Sequence, residues 1–291
     1  MKTRMKAVIF GLAALFAVGC EEKNPVIIID NPPAAPQGVY TITGDNAVYV
    51  YWNGPYERDL DEYWVYRSLS ATTGYVAIGT VAAVANPNLD LVIYEFVDNT
   101  AVNGQTYYYA VASVDGANHV SELSAEEVFD TPRPEGNAVV FDEAIEPSLA
   151  GYDLSARVNV SSGSSAADIF IDRALGIYYI NVADALTDIQ DLGYTSSFDA
   201  VGYAPISGWS ANGWAEIILG HTYIIWTRDL NYAKMRVQSI NSNSVSFRWA
   251  YQTDPDNPEL IVIGNQDQKP EHGVEYMINP KTYNAPAING K

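Results

Sequence analysis

The chain has 291 residues and a formal net charge of −19, with 35 acidic side chains against 16 basic ones. A surface this acidic repels nucleic-acid phosphates and anionic lipid head groups, so the charge argues against both as partners. With 21 Tyr, 8 Phe and 6 Trp and no long helical periodicity after the N-terminus, the composition predicts an all-β protein with room for two domains.

The first twenty residues predict export and lipidation. Three cationic side chains precede the apolar run 7–18, which is too short to span a membrane. The run ends in FAVGC (residues 16–20), which resembles a bacterial lipobox, and Cys20 is the only cysteine of the chain. The resemblance implies a lipoprotein signal peptide at residues 1–19 and lipid on Cys20. The acidic pair after Cys20 resembles the sorting signals of some outer-membrane lipoproteins, so we expect attachment to the outer membrane, facing the periplasm or the cell surface. The alternative is an ordinary secretory signal with a chance cysteine.

Residues 20–35 carry the lipid anchor and then a proline-rich linker, which we expect to be extended. Removal of the three leader cations lowers the formal charge from −19 to −22. From residue 36 to residue 131 the sequence predicts seven short strands. Alternation places Val48, Val50 and Trp52 on one face of a strand. A later segment, 106–114, follows the Asn103-Gly104 turn signal, and residues 121–128 are predicted as the last strand.

Together these motifs resemble a fibronectin type III domain over residues 36–131. The resemblance is carried by Trp52, by YWVYR (63–67), by NGQTYYY (103–109) and by SELS (121–124). It implies an immunoglobulin-like sandwich with Trp52 in its core and Tyr107 in the tyrosine-corner position. The resemblance implies no catalysis, because such domains commonly act as spacers or adhesive modules.

A linker is predicted at residues 132–137, where two prolines and a glycine interrupt the strand pattern. Residues 138–265 are predicted to form a second antiparallel β domain, and residues 266–291 a tail. The one helix that the sequence predicts lies at 184–192, with Asp184 as its cap and Gly193 as its end. Residues 221–251 predict a three-stranded meander, in which Val245, Phe247, Trp249 and Tyr251 share a face.

The second β domain resembles the β-rich domains of outer-membrane lipoproteins, including haem-scavenging ones of the HmuY type, through GHTYIIWT (220–227) and YAKMRV (232–237). A haem site would need His221 or His272, or a substitute ligand. The three histidines of the chain have no metal-ligand spacing, so we predict neither a metal site nor a cofactor. The acidic loop 254–259 is either a calcium site or a plain acidic turn.

No motif marks a nucleophile, and sequence spacing cannot identify a pair of catalytic carboxylates, so we predict that the protein is not an enzyme. Trp209 and Trp214 lie among small polar residues in the loop 203–214. They could stack on a sugar or hold a small apolar ligand, or they could fold back as a lid over the core. Trp226 and His221 complete the set of candidate ligand-binding residues.

Three functions therefore remain open. A binding or adhesion lipoprotein, with the first domain as spacer, predicts an open aromatic site near Trp209, Trp214 or Trp226. Its partner beyond the membrane would be a glycan, a small apolar ligand or another envelope protein. A structural scaffold predicts that these residues are buried, whereas a glycan-active enzyme, the least favoured of the three, predicts convergent carboxylates or a perturbed histidine.

Overall fold

The computed structural model describes residues 31–84 and 92–261, which form two successive antiparallel β-sandwiches. The predicted all-β class is confirmed. Helical structure in the described residues is limited to two 3₁₀ turns, Pro147–Leu149 and Phe198–Ala200. Neither of these turns approaches the length or hydropathy of a membrane-spanning helix. The predicted signal peptide, Cys20 and the tail 266–291 lie outside the described residues.

The first sandwich contains seven strands, as the sequence predicts. One sheet has the order β1-β2-β5 and the other the order β4-β3-β6-β7, which is the fibronectin type III arrangement. The strands are β1 (Gln37–Thr43), β2 (Val48–Asn53), β3 (Leu60–Ser68), β4 (Val76–Ala82), β5 (Ile93–Asp98), β6 (Tyr107–Asp115) and β7 (Val128–Asp130).

The core of the first sandwich follows the predicted alternation. Val48, Val50 and Trp52 are fully buried, whereas Tyr49 between them is exposed. Trp52 lies at the centre, with its ring 5.5 Å from that of Tyr63. Because one face of each strand supplies the apolar side chains, both sheets can bury that face against the other.

Tyr107 occupies the corner position that the resemblance implies. Its ring is buried, and its hydroxyl accepts a hydrogen bond from the backbone N–H of Val102 at 3.3 Å. This bond returns to the backbone five residues upstream, which is the geometry of a tyrosine corner. The guanidinium of Arg67 lies 4.6 Å from the centre of the same ring.

The prediction of a last strand at 121–128 is wrong, because the strand covers only Val128–Asp130. Serine hydroxyls replace part of the ladder before it. The N–H of Val111 donates to Ser124 Oγ at 3.1 Å, and the N–H of Ser113 donates to Ser121 Oγ at 2.9 Å. The N–H groups of Ser121 and Ser124 in turn donate to the carbonyls of Ser113 and Val111, each at 2.9 Å. Side chains and backbone thus satisfy this edge of β6 together, without a regular strand.

The second sandwich packs two five-stranded sheets. Their orders are β10-β9-β11-β12-β14 and β13-β15-β16-β17-β8. The strands are β8 (Glu135–Phe141), β9 (Gly151–Asp153), β10 (Val158–Val160), β11 (Ile169–Ala174), β12 (Ile177–Val182), β13 (Asp188–Tyr194), β14 (Trp214–Glu216), β15 (His221–Trp226), β16 (Tyr232–Ile240) and β17 (Ser244–Tyr251). The meander β15-β16-β17 confirms the three strands predicted within residues 221–251.

The core between these sheets is large and mostly aliphatic. Ile169 and Ile171 enter it from one sheet, and Phe247 and Trp249 enter it from the other. The alternation predicted for residues 244–251 therefore holds, because all four of its apolar members are buried in this core.

The predicted helix at 184–192 is wrong, because β13 covers Asp188–Tyr194. Asp184 Oδ1 does accept hydrogen bonds from the N–H groups of Leu186 and Thr187, at 2.7 and 3.0 Å. This is the bonding of a helix cap, but here it closes a turn. The chain then extends because Ile189 pairs with Ile225 of β15 and is buried in the core.

The predicted linker 132–137 is shorter and more ordered than expected, because β8 begins at Glu135. Gly136 and Asn137 lie opposite Trp249 and Arg248 in the sheet. Gly136 is needed there, since a Cβ would lie 2.9 Å from the Trp249 ring. The residues before β8 are buried, so the two sandwiches are joined by packed chain.

Candidate ligand-binding face

The four candidate residues do not form one site. Trp209 and Trp226 lie together, with ring centres 5.9 Å apart, and both contact the ring of Tyr232. Trp209 packs on a small apolar cluster formed by Ala204, Ile224 and Leu260. These indoles therefore cover a hydrophobic cluster on the outer face of the β13–β8 sheet, as the lid interpretation predicts for Trp209.

The Tyr232 ring is half-buried in this cluster. Burial, together with the nearby carboxylates of Asp256 and Asp188, raises its pKa to about 12. The phenol thus stays neutral near pH 7. The rings of Trp226 and Tyr232 stack at 16° and 5.4 Å, so each covers part of the face that a ligand would need.

His221 lies at the start of β15 and pairs with Asp191, with Nδ1 3.0 Å from Oδ2. Within residues 31–84 and 92–261, no group of three or more His, Cys, Asp or Glu side chains could hold a metal ion. The other haem candidate, His272, lies outside the described residues.

The acidic loop 254–259 has a structural role at the junction of the sandwiches. Glu259 is buried, and its Oε1 accepts a hydrogen bond from the N–H of Thr131 at 3.0 Å. Asp254 accepts one from the side chain of Asn257 at 3.2 Å. This arrangement is that of a packed acidic turn.

Trp214 lies elsewhere, on the open face of the other sheet of the second sandwich. It is 43% exposed and is the first residue of the edge strand β14. Its ring meets the ring of Tyr179 edge-on, with centres 5.2 Å apart at 90°. Ala215, the next residue, packs against the core. Because successive side chains of a strand point to opposite faces of the sheet, the side chain of Trp214 points away from the core.

Five more residues share this outward face with Trp214. In β12, Tyr178 and Ile180 are buried. Tyr179 and Asn181, which alternate with them along the strand, are only half-buried. In β11, Phe170 and Asp172 alternate in the same way with two buried isoleucines. We name this surface the aromatic face; its members are Phe170, Asp172, Tyr179, Asn181, Trp214 and Glu216.

The register of the sheet arranges the aromatic face as a chequerboard. One row across the strands contains Trp214, Asn181 and Phe170, and the next contains Glu216, Tyr179 and Asp172. Asn181 donates from Nδ2 to Asp172 Oδ1 at 3.0 Å. Each aromatic side chain therefore has polar neighbours, and the amide and carboxylate are already oriented.

Chemically, the aromatic face offers flat apolar rings beside hydrogen-bonding groups. Rings of this kind stack on the C–H faces of sugars, and the amide and carboxylate oxygens can bond hydroxyls. Phe170 and Tyr179 are not among the site residues that the sequence predicts. The signal was present, because aromatic side chains alternate there with residues of the core.

The outer face of the β13–β8 sheet carries a buried lysine, Lys234, which is also not among the site residues that the sequence predicts. Its Nζ donates to the carbonyl of Val201 at 3.0 Å and lies 4.4 Å from the Phe198 ring centre. Burial lowers its pKa well below the usual value, and the nearby Arg133 cation acts in the same direction. These contacts fix the segment around Phe198 to the sheet, which explains the burial without a ligand.

The junction between the sandwiches is buried and densely bonded. The backbone N–H of Arg133 donates to the carbonyl of Gly44 at 3.0 Å, and the backbone N–H of Gly104 donates to the carbonyl of Pro132 at 2.8 Å. Both hydrogen bonds hold the junction against the first sandwich. The Arg133 side chain is fully buried and donates a hydrogen bond to the Leu260 carbonyl of the second sandwich.

No family model and no curated protein matches the chain. Among solved structures, it is similar to a Fn3-like protein from Clostridium thermocellum, at 24% identity and a TM-score of 0.28 over 36% of this chain and all of that one.

It is also similar to a DUF4466 family protein from Parabacteroides merdae, at 9% identity and a TM-score of 0.42, covering 77% and 95% of the two chains. The chicken CNTN1 FN1–FN3 domains match at 11% identity and a TM-score of 0.29, covering 75% and 68%. A likeness to HmuY-type proteins does not emerge among these three.

Proposed function

We propose that this protein is a non-catalytic, lipid-anchored envelope protein that binds saccharides through the aromatic face. The observation that carries the proposal is Trp214, an exposed indole on an open sheet face beside Tyr179 and the oriented Asn181–Asp172 pair. An exposed tryptophan with this surrounding fits a sugar ring, which presents an apolar face and polar edges.

The aromatic face is better suited to this role than the Trp209–Trp226 cluster. In that cluster the rings stack on one another and on a hydrophobic cluster, so their surfaces are already used. Among the ring pairs of the described residues, Trp214 has one contact, the perpendicular one with Tyr179, and 43% of this residue is exposed.

Binding of the chain from residue 20 onward to an array of immobilised polysaccharides tests the proposal. We expect saturable binding that Trp214→Ala abolishes. Tyr194→Ala is the matched control, because Tyr194 is a 73% exposed aromatic residue of the same sandwich outside the aromatic face. Equal loss in both variants, or no effect of Trp214→Ala, would contradict the assignment.

The anchor rests on the N-terminal sequence and has its own test. We expect Cys20→Ser to move the protein from the membrane fraction to the soluble fraction and to remove the mass of the acyl chains. Two acyl chains or more give stable anchoring. A variant that still sediments with membranes would refute the lipid anchor and leave saccharide binding unaffected.

A second candidate, a structural scaffold, is favoured by the junction. Thr131, Pro132, Arg133 and Pro134 are buried between the sandwiches, which gives the chain a fixed geometry rather than a swivel. A scaffold predicts full function in the cell for the Trp214→Ala variant and loss of function when the junction is disrupted.

A further inference from the structure

We infer that the ligand is a neutral, extended, β-1,4-linked glycan that lies across the strands from Trp214 to Phe170. This inference rests on the proposed saccharide binding and narrows it to one class of glycan. It follows from the spacing of the aromatic side chains, from the polar residues between them and from the charge of the face.

The spacing comes from the sheet register. Trp214 lies directly opposite Asn181, and Asn181 lies directly opposite Phe170 on the next strand. Two inter-strand steps separate Trp214 from Phe170 by about 10 Å. In an extended chain of equatorially linked sugars, every second ring presents the same face, and two residues of the chain cover a similar length. Trp214 and Phe170 can therefore stack on sugars n and n+2.

The polar residues lie where the intervening sugar would be. Asn181 stands between the two aromatic residues, and its amide is held by Asp172 at 3.0 Å. Tyr179 lies diagonally between the same two positions and contacts the Trp214 ring. Equatorial hydroxyls project from the edges of a sugar and not from its faces. A chain stacked at both ends thus brings hydroxyls of its middle sugar to Asn181 and Asp172.

The charge of the face selects against acidic glycans. Its two ionisable side chains other than tyrosine are Asp172 and Glu216, and the formal charge of the whole chain is −19. Neither carboxylate has a Lys or Arg partner among the salt bridges of the described residues. A uronate at the middle sugar would meet Asp172 at close range, which is unfavourable at any effective dielectric constant.

Calorimetry with defined oligosaccharides tests this inference. The probes are β-1,4-linked oligomers of glucose, mannose and xylose from two to six residues, with β-1,4-linked oligomannuronate as the acidic probe and maltooligosaccharides as the neutral α-1,4-linked probe. We expect affinity to rise by about tenfold between the disaccharide and the trisaccharide or tetrasaccharide, as the second ring stacks, and then to level off. Oligomannuronate and the maltooligosaccharides should not bind.

Two variants locate the subsites. Phe170→Ala should remove the gain in affinity with chain length, whereas Trp214→Ala should weaken the binding of every oligomer. The double variant Asp172→Asn/Glu216→Gln should let oligomannuronate bind. Tyr194→Ala again serves as the control, and circular dichroism reports whether each variant is folded.

The outcomes separate the two proposals. Trp214-dependent binding of an acidic or α-linked glycan instead of the neutral β-1,4 oligomers would overturn the inference and leave saccharide binding in place. Affinity that does not depend on chain length, or on Phe170, would also overturn it. Binding of no saccharide at all would overturn both.

Discussion

Arg133 and Glu135 form an ion pair at the point where the first sandwich passes into the second, with Nη1 3.1 Å from Oε2. The Arg133 side chain is fully buried, and the other oxygen of Glu135 binds the half-exposed Arg248 at 2.7 Å. Desolvation penalises a guanidinium in this position. Glu135 offsets part of this penalty, so the ion pair stabilises the buried junction.

We expect Glu135→Ala to destabilise the protein by roughly 3 kcal/mol, because it leaves the buried guanidinium of Arg133 without its carboxylate. Arg248→Ala should cost less than about 1 kcal/mol, since that arm of the network is partly exposed. Urea unfolding at neutral pH measures both changes. Equal losses of stability in the two variants would contradict the view that the burial of Arg133 determines the free-energy cost.

Asp98 is the buried acceptor at one end of the first sandwich. Burial opposes its ionisation, but hydrogen bonds from Thr100, Arg67 and Tyr109 outweigh this and hold the pKa of its carboxyl below the usual value. A lowered pKa in the folded state means that the ionised form stabilises the fold above the unfolded pKa of about 4. That contribution is lost as pH falls through the folded pKa.

Asp98→Asn should therefore destabilise the protein at pH 7 by roughly 2 kcal/mol, as charge-assisted hydrogen bonds to Arg67 and Tyr109 are lost. The difference in free energy of unfolding between the variant and the wild type should shrink as pH falls below 4. Urea unfolding across this range measures the difference. A difference that stays constant with pH would show that Asp98 acts through packing alone.

The pKa of the Asp168 carboxyl is shifted in the opposite direction to that of Asp98. Burial raises the pKa of its carboxyl to about 6, although it accepts a hydrogen bond from the N–H of Leu154 and lies 3.5 Å from Arg228. A raised pKa means that the folded state binds the proton more tightly than the unfolded state. Stability should therefore increase as pH falls from 7 through 6 towards 4.

The wild type should gain on the order of 2 kcal/mol relative to Asp168→Asn between pH 7.5 and pH 4.5. Thermal or urea unfolding of both proteins over this range gives the difference directly. The same substitution at the exposed Asp229 serves as the control. Parallel stability curves for the wild type and Asp168→Asn would refute the raised pKa.

The sequence predicts the fold where alternation is strong and fails where local chemistry is ambiguous. Phe247 and Trp249 alternate with polar residues, so β17 and its buried face follow directly. Asp184 makes the hydrogen bonds of a helix cap, and only the pairing of Ile189 with Ile225, 36 residues later, selects the strand. A local cap carries no information about that distant partner.

The candidate site also depends on contacts between residues that are distant in the sequence. Trp209 and Trp214 are five residues apart in one loop, and the sequence predicts a single aromatic site for both. They lie on different sheets, because Trp214 enters the edge strand β14 while Trp209 packs over Ala204 and Leu260. Tyr179, more than thirty residues upstream, contacts Trp214 through a strand pairing that no local pattern encodes.

The segment that replaces the predicted last strand of the first sandwich depends on two serines. Ser124 is buried, and its Oγ accepts the hydrogen bond of the Val111 N–H at 3.1 Å. Ser124→Ala removes the acceptor and leaves a buried N–H unsatisfied, which should destabilise the protein by about 1–3 kcal/mol. Ser121 accepts from Ser113 in the same way, but it is only half-buried, so water can replace its hydroxyl.

Ser121→Ala should accordingly cost less than Ser124→Ala, and hydrogen exchange should show faster exchange at Val111 in the Ser124 variant. Ser124→Thr keeps the hydroxyl and should retain most of the protection. If Ser124→Ala leaves both the stability and the exchange of Val111 unchanged, backbone pairing alone holds this segment. The serines would then not account for the loss of regular strand between residues 121 and 127.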